Sequence, residues 1–75
     1  MSAITMAGLS ASDAEEVIAQ VWLLLEEHQI ASPEVAVKSL SDHLQIRFLF
    51  TLKEDADLVS YKLKDWAGKR GLRLH

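Results

Sequence analysis

The sequence contains no cysteine, only one proline and only three glycines in 75 residues. The absence of cysteine excludes disulfide bonds and thiolate metal sites, so the folded state must be held together by packing. It also suits a reducing compartment, and we expect a cytoplasmic protein. The length predicts one small domain, residues 1–75, with a marginal core, because such domains bury only about 60% of their unfolded surface. Help from a partner chain is therefore expected.

Long apolar runs are also lacking. The stretch from Val17 to Leu25 is interrupted by Gln20 and flanked on both sides by glutamates, so it is too short for a membrane span. No basic segment precedes it, which argues against a signal peptide. We therefore expect no membrane insertion.

An excess of positive charge is missing as well, since the net charge is −3. Residues 1–52 hold seven acidic and two basic side chains, whereas residues 53–75 hold six basic and four acidic ones. The basic C-terminal part could attract phosphate, but the overall charge opposes non-specific nucleic-acid binding. We expect these bases to form a solvated helix face and do not expect a nucleic-acid partner.

Two segments have the pattern of amphipathic helices. Apolar residues recur every three or four positions from a capping box at Ser12, or a cap at Ser10, to about Gln29. After Leu52 the chain is first acidic and then basic, which is the order that a helix dipole favours. Gly71 is a suitable C-cap for this second helix.

Strand patterns surround the helices. Residues 34–40 contain alternating β-branched side chains, and Ser41-Asp42 predicts a hairpin turn to the next strand. That next strand has one face typical of a core, made by Leu44, Ile46, Phe48, Phe50 and Leu52. Its other face carries Gln45, Arg47, Leu49 and Thr51. Residues 72–75 alternate like a short last strand, and residues 2–7 can form a first strand.

This order predicts an α+β fold of the ferredoxin-like, split βαβ type, β-α-β-β-α-β. Such a fold has a four-stranded antiparallel sheet with both helices on one face. The single wide apolar stripe on each helix agrees with packing on one face of a sheet.

Two segments resemble ACT domains. "LLLEEHQIASPEVAV" is similar to the end of the first helix and the start of the second strand in that family. "LQIRFLFTLKEDADLVSYKL" is similar to the third strand and the acidic start of the second helix. The family usually has Asp-x-Pro-Gly before the first helix, where this chain has "TMAGLSASD" and matches only at Gly8. Gln29 stands where a glycine is usual.

The resemblance implies a regulatory domain that binds a small effector, often an amino acid, at a dimer interface. The effector would be held by the turn before the first helix and by the segment after that helix. In this sequence those positions are Gly8, Ser10, Ser12, Ile30 and Ser32.

Other chemistries have less support. "GKRG", residues 68–71, has the spacing of an RNA-binding KH loop, but too few residues follow it to form the second helix that such a loop needs. An RNA-recognition sheet would expose aromatic side chains, whereas Phe48 and Phe50 point inward in this register. No histidine pair has the spacing of a metal site, and no nucleophile lies beside a base. "MAGLSAS" lacks the arginine that acylphosphatases carry after their first strand. We therefore expect no catalytic residues, no metal and no cofactor.

The open face of the sheet remains to be explained. Arg47 and Leu49, with Thr51 and Arg73, make a surface of intermediate polarity, which is either ordinary solvated surface or a subunit interface. Because the core is small, we expect a homodimer that uses this face or a sheet edge. The expected function is a non-catalytic regulatory or ligand-sensing module. The alternatives are a protein-interaction adaptor without a small ligand and an RNA-binding domain.

Overall fold

The computed structural model describes residues 2 to 74. Three strands and two helices follow one another in the order β-α-β-β-α. Their bounds are β1 Ser2–Leu9, α1 Ala11–Glu27, β2 Glu34–Leu40, β3 His43–Phe50 and α2 Lys53–Gly68.

Helix α1 begins two residues earlier than a capping box at Ser12 would require. Ser10 is the N-cap, and its hydroxyl accepts a hydrogen bond from the backbone N–H of Asp13 at 3.1 Å. Ser12 lies within the first turn and is exposed. The helix therefore uses the serine that follows β1 directly, which leaves one residue between strand and helix.

Both helices end in the hydrogen-bond pattern of the Schellman motif. After α1, Ile30 N–H donates to the Leu25 carbonyl at 2.9 Å, and Gln29 adopts a positive φ of 54°. After α2, Leu72 N–H donates to the Ala67 carbonyl at 2.9 Å, and Gly71 has a φ of 74°. The predicted cap at Gly71 is confirmed, and this geometry accounts for "GKRG" as a helix end.

The three strands form one antiparallel sheet in the order β1-β3-β2. On one side of β3, Ile4 lies opposite Phe48; on the other side, Val35 lies opposite the same Phe48. The predicted hairpin between β2 and β3 is confirmed, with Leu40 opposite His43 across the turn.

The expectation of a four-stranded sheet is wrong. After Gly71 the described chain makes a single bridge, between Leu74 and Met6, and forms no further strand. This bridge lies next to an irregularity in β1, whose pairing with β3 is interrupted between Met6 and Leu9, where Gly8 has a φ of 70°. Residues 72–74 thus have the alternating sequence of a strand, but only Leu74 pairs with a residue of a neighbouring strand. His75 lies outside the described residues.

The core lies between the sheet and the two helices. The predicted inner face of β3 is confirmed for Ile46, Phe48 and Phe50, which are buried. Leu52 was expected there too, but it precedes α2 and is half exposed. The whole buried set is Ile4, Met6, Leu9, Ala14, Val17, Val21, Leu24, Leu25, Ile46, Phe48, Phe50, Ala56, Val59, Leu63 and Ala67.

The helices do not cover the whole sheet. Both pack against β1 and β3, and among the described residues neither helix reaches β2. Six of the seven residues of β2 are exposed, and Leu40 at its end is half-buried. The domain therefore has a well-packed half and an uncovered edge strand.

Candidate interaction surface at the edge of the sheet

Strand β2 pairs with β3 along one edge, and within residues 2–74 nothing pairs with its other edge. The outward-pointing N–H and C=O groups of such a strand can accept another strand. Monomeric proteins commonly block an edge with a covering loop, a bulge or a proline. Pro33 precedes β2, but no proline lies within it.

The helix side of β2 is apolar. Val35 and Val37 lie opposite Phe48 and Ile46, so all four side chains share one face of the sheet. Phe48 and Ile46 are fully buried, whereas Val35 and Val37 are 38% and 55% exposed. The core surface thus continues past the helices onto two valines that no helix covers.

An exposed aromatic side chain lies on α1. Trp22 is 44% exposed and lines a surface hollow together with Leu25, Glu26, Ile30 and Ser32, the last of which lies two residues before β2. Trp22 on α1 thus exposes apolar surface in addition to that of Val35 and Val37 on β2.

The open side of the sheet is more polar. Glu34, Ala36 and Lys38 on β2 lie opposite Leu49, Arg47 and Gln45 on β3. Arg47 is exposed, and Leu49 is half-buried. Ala36 and Arg47 line two shallow depressions on this side, one toward Glu34 and the other toward Lys38.

Of the four residues expected to form an interface, two lie on β3 and two lie outside the regular elements. Arg47 and Leu49 lie two positions apart on the open face of β3, where Arg47 is exposed and Leu49 is half-buried. Thr51 follows the end of β3 and Arg73 follows α2, and both are exposed outside the regular elements. Sequence reasoning did not identify β2 as the uncovered strand, because alternation shows which side chains share a face but not which strand the helices cover.

The residues of the expected effector site fall into two groups. Gly8, Ser10 and Ser12 lie around the start of α1, and Ile30 and Ser32 lie after its end. The helix between them has 17 residues, so the two groups are about 25 Å apart at 1.5 Å per residue. One copy of the chain cannot bring both groups to one small ligand.

The polar interactions of the described residues lie on the surface. His43 at the hairpin contacts the carboxylate of Asp42 at 3.2 Å, and this hydrogen bond holds the pKa of Asp42 below its ordinary value. Arg70, just after α2, donates to Glu16 of α1 at 3.1 Å and also stacks over Trp66 of α2. Within residues 2–74 no three histidine or carboxylate side chains come together as a metal site, and neither helix is long and apolar enough to cross a membrane.

Comparisons of this chain with protein-family models, with curated proteins and with solved structures found no match.

Proposed function

We propose that this domain is a non-catalytic module that acts by self-association, and that it regulates or senses through the assembled form. The observation that carries the proposal is the uncovered edge strand β2, with Val35 and Val37 exposed beside a fully buried Phe48. An edge with free backbone groups and an apolar flank is suited to strand addition. The small core adds a reason for a partner, since a chain of this size buries only about 60% of its surface alone.

A small effector is part of this proposal. Ser39, near the end of β2, lines the same depression as Leu9 at the end of β1 and Ala11 at the start of α1. Ser32 lies just before the other end of β2. If two copies pair their β2 strands in antiparallel fashion, the end of one strand meets the beginning of the other. The two separated groups of the expected effector site would then approach each other across the interface.

Two measurements test the proposal. Sedimentation equilibrium from micromolar to millimolar concentration should show a monomer–dimer equilibrium. A thermal-shift screen against amino acids and nucleotides should then find a compound that raises the melting temperature, because a ligand of the native state stabilises it. A chain that stays monomeric at millimolar concentration would contradict self-association.

A protein-interaction adaptor without a small ligand is the second candidate. Leu23 on α1 and Tyr61 on α2 are 59% and 75% exposed, which adds apolar surface away from β2. A dimer that shows no thermal shift with any compound would favour this candidate. RNA binding has less support, because Phe48 and Phe50 are buried and cannot stack on bases.

A further inference from the structure

We propose that two copies of this chain form a two-fold dimer in which their β2 strands pair antiparallel, with Ala36 of one copy opposite Ala36 of the other. This inference rests on the self-association proposed above and specifies its geometry. The dimer would join two three-stranded sheets into one continuous sheet of six strands.

The sequence of β2 is complementary to itself when it is reversed. Residues 34–38 are Glu-Val-Ala-Val-Lys, with the same apolar residues at mirrored positions and opposite charges at the two ends. With Ala36 on the axis, Glu34 lies opposite Lys38 of the second copy, and Val35 lies opposite Val37. Each of these pairs occurs twice by symmetry. Opposite charges and β-branched side chains in directly opposed positions stabilise antiparallel pairs.

This register also places the same face of the two sheets on the same side of the joined sheet. Directly opposed residues of antiparallel strands point to the same face of the sheet. A register with Ala36 on the axis therefore places both pairs of helices on one side of the joined sheet. The four valines of the two copies come together on that side, in the gap that no helix covers. The charged pairs lie on the open side, where solvent can reach them.

The neighbouring registers lack this match. Moving the axis to Val37 would place Lys38 opposite Ala36 and Glu34 opposite Leu40, so both charges would lose their partners. Moving it to Val35 would place Glu34 opposite Ala36. Only the register centred on Ala36 pairs the two charged residues of the strand with each other.

A second copy also fits this edge better than an unrelated peptide. A lysine on an exposed edge strand usually discourages strand addition. Lys38 would have this effect on most incoming strands, whereas a second β2 supplies Glu34 at the opposing position.

A cysteine introduced at the axis tests the register directly, because the chain contains no other cysteine. Opposed residues in antiparallel strands have Cα atoms about 4.5–5.5 Å apart, within the range of about 4.4–6.8 Å that a disulfide requires. Under mild oxidation Ala36→Cys should form a covalent dimer nearly completely. Ser39→Cys is the matched control on the same strand, because its two copies would lie about 20 Å apart at about 3.3 Å per residue. Equal crosslinking of the two variants would overturn the register.

Charge exchange gives an independent test. Glu34→Lys and Lys38→Glu should each weaken the dimer by about ten-fold, since two attractive pairs become repulsive. The double variant should restore the wild-type dissociation constant. A mixture of the two single variants should form a heterodimer in preference to either homodimer, because every charged pair is then complementary.

The outcomes separate this inference from the proposed function. A dimer whose affinity ignores the charge exchange, and in which Ala36→Cys does not crosslink, would overturn the β2 register and leave self-association standing. In that case Leu49→Asp should dissociate it by way of the open face, whereas the β2 dimer should survive that change. A wild-type chain that is monomeric at millimolar concentration would overturn both.

Discussion

Phe48 and Val35 lie directly opposite each other on neighbouring strands and on the same face of the sheet, yet Phe48 is fully buried while Val35 is 38% exposed. The boundary of the helix layer thus runs between two paired strands. On one side of that boundary a side chain contributes to the stability of the monomer. On the other side it is available to a partner.

Replacement of the central core side chain should be severe. Phe48→Ala should lower the free energy of unfolding by about 3–5 kcal/mol, because it removes a large buried ring and leaves a cavity. Leu49→Ala, next to it but half-buried on the open side, should cost far less. Urea unfolding of monomeric protein measures both changes. A larger loss for Leu49→Ala would show that the strand faces are assigned the wrong way round.

The two ends of the chain should differ in their importance. Deletion of residues 2–7 should unfold the domain, because it removes the buried Ile4 and Met6 and the partner of β3. Deletion of residues 73–75 should be tolerated better, since it removes one bridge and the half-buried Leu74. Circular dichroism with thermal melting distinguishes a folded from an unfolded product. Fast amide exchange throughout residues 3–6 of the intact chain would argue against the importance of β1.

Patterns within one element could be predicted from the sequence. The alternation in β3 identified Ile46, Phe48 and Phe50 as core, and the position of Gly71 after a basic stretch identified a helix end. Both depend on local rules, namely the two-residue period of a strand and the left-handed conformation that glycine accepts.

Properties that depend on distant parts of the chain could not be predicted. The alternation of residues 72–75 is that of a strand, but a strand also needs a neighbour with several free positions, and Leu74 meets only Met6. Leu52 continues the apolar alternation of β3, but the chain turns into α2 at that residue. The exposure of β2 depends on where the helices pack, and the sequence of β2 alone does not show this. For the candidate site, the sequence marked Glu34-Val35-Ala36-Val37-Lys38 as a strand without showing that it would be an uncovered edge.

Two positions with left-handed backbone should be improved by glycine. Gln29 after α1 and Ser41 in the hairpin turn have φ values of 54° and 48°. A residue with a side chain is strained there by about 1–2 kcal/mol, and glycine removes this strain. Part of the resulting gain in stability is offset by the greater freedom of glycine in the unfolded chain. Gln29→Gly and Ser41→Gly should each raise the free energy of unfolding by up to about 1 kcal/mol. Gly71→Ala, which introduces the same strain at a φ of 74°, should lower it. Thermal melts of the three variants provide the comparison, and a destabilised Gln29→Gly would contradict the backbone geometry.

Asp42 in the hairpin turn should stabilise the fold at neutral pH, and this stabilisation should be lost in acid. In the folded state the hydrogen bond with His43 holds the pKa of Asp42 below its ordinary value. A lowered folded-state pKa stabilises the fold at pH values above the ordinary pKa, and this contribution disappears as the pH falls through the lowered value. The difference in stability between wild type and Asp42→Ala should therefore be larger at pH 6 than at pH 2. A difference that stays constant over this range would show that the carboxylate does not contribute through its charge.

Arg70, just after α2, makes one interaction with α1, through Glu16, and one with its own helix, through Trp66. The two interactions should differ in their dependence on salt. Its guanidinium lies 3.1 Å from the carboxylate of Glu16 and 4.6 Å from the ring centroid of Trp66. The ion pair is half exposed on both sides, so a double-mutant cycle of Arg70→Ala and Glu16→Ala should give a coupling below about 1 kcal/mol that decreases in 0.5 M salt.

The corresponding cycle with Trp66→Leu should give about 0.5–1 kcal/mol and depend less on salt, because the ring has no net charge to be screened. Arg70→Lys is the matched variant, since it keeps the charge but loses the planar group that stacks on the ring. It should retain part of the coupling to Glu16 and lose most of the coupling to Trp66. Equal salt dependence in the two cycles would mean that Arg70 interacts with Glu16 and with Trp66 only as a point charge.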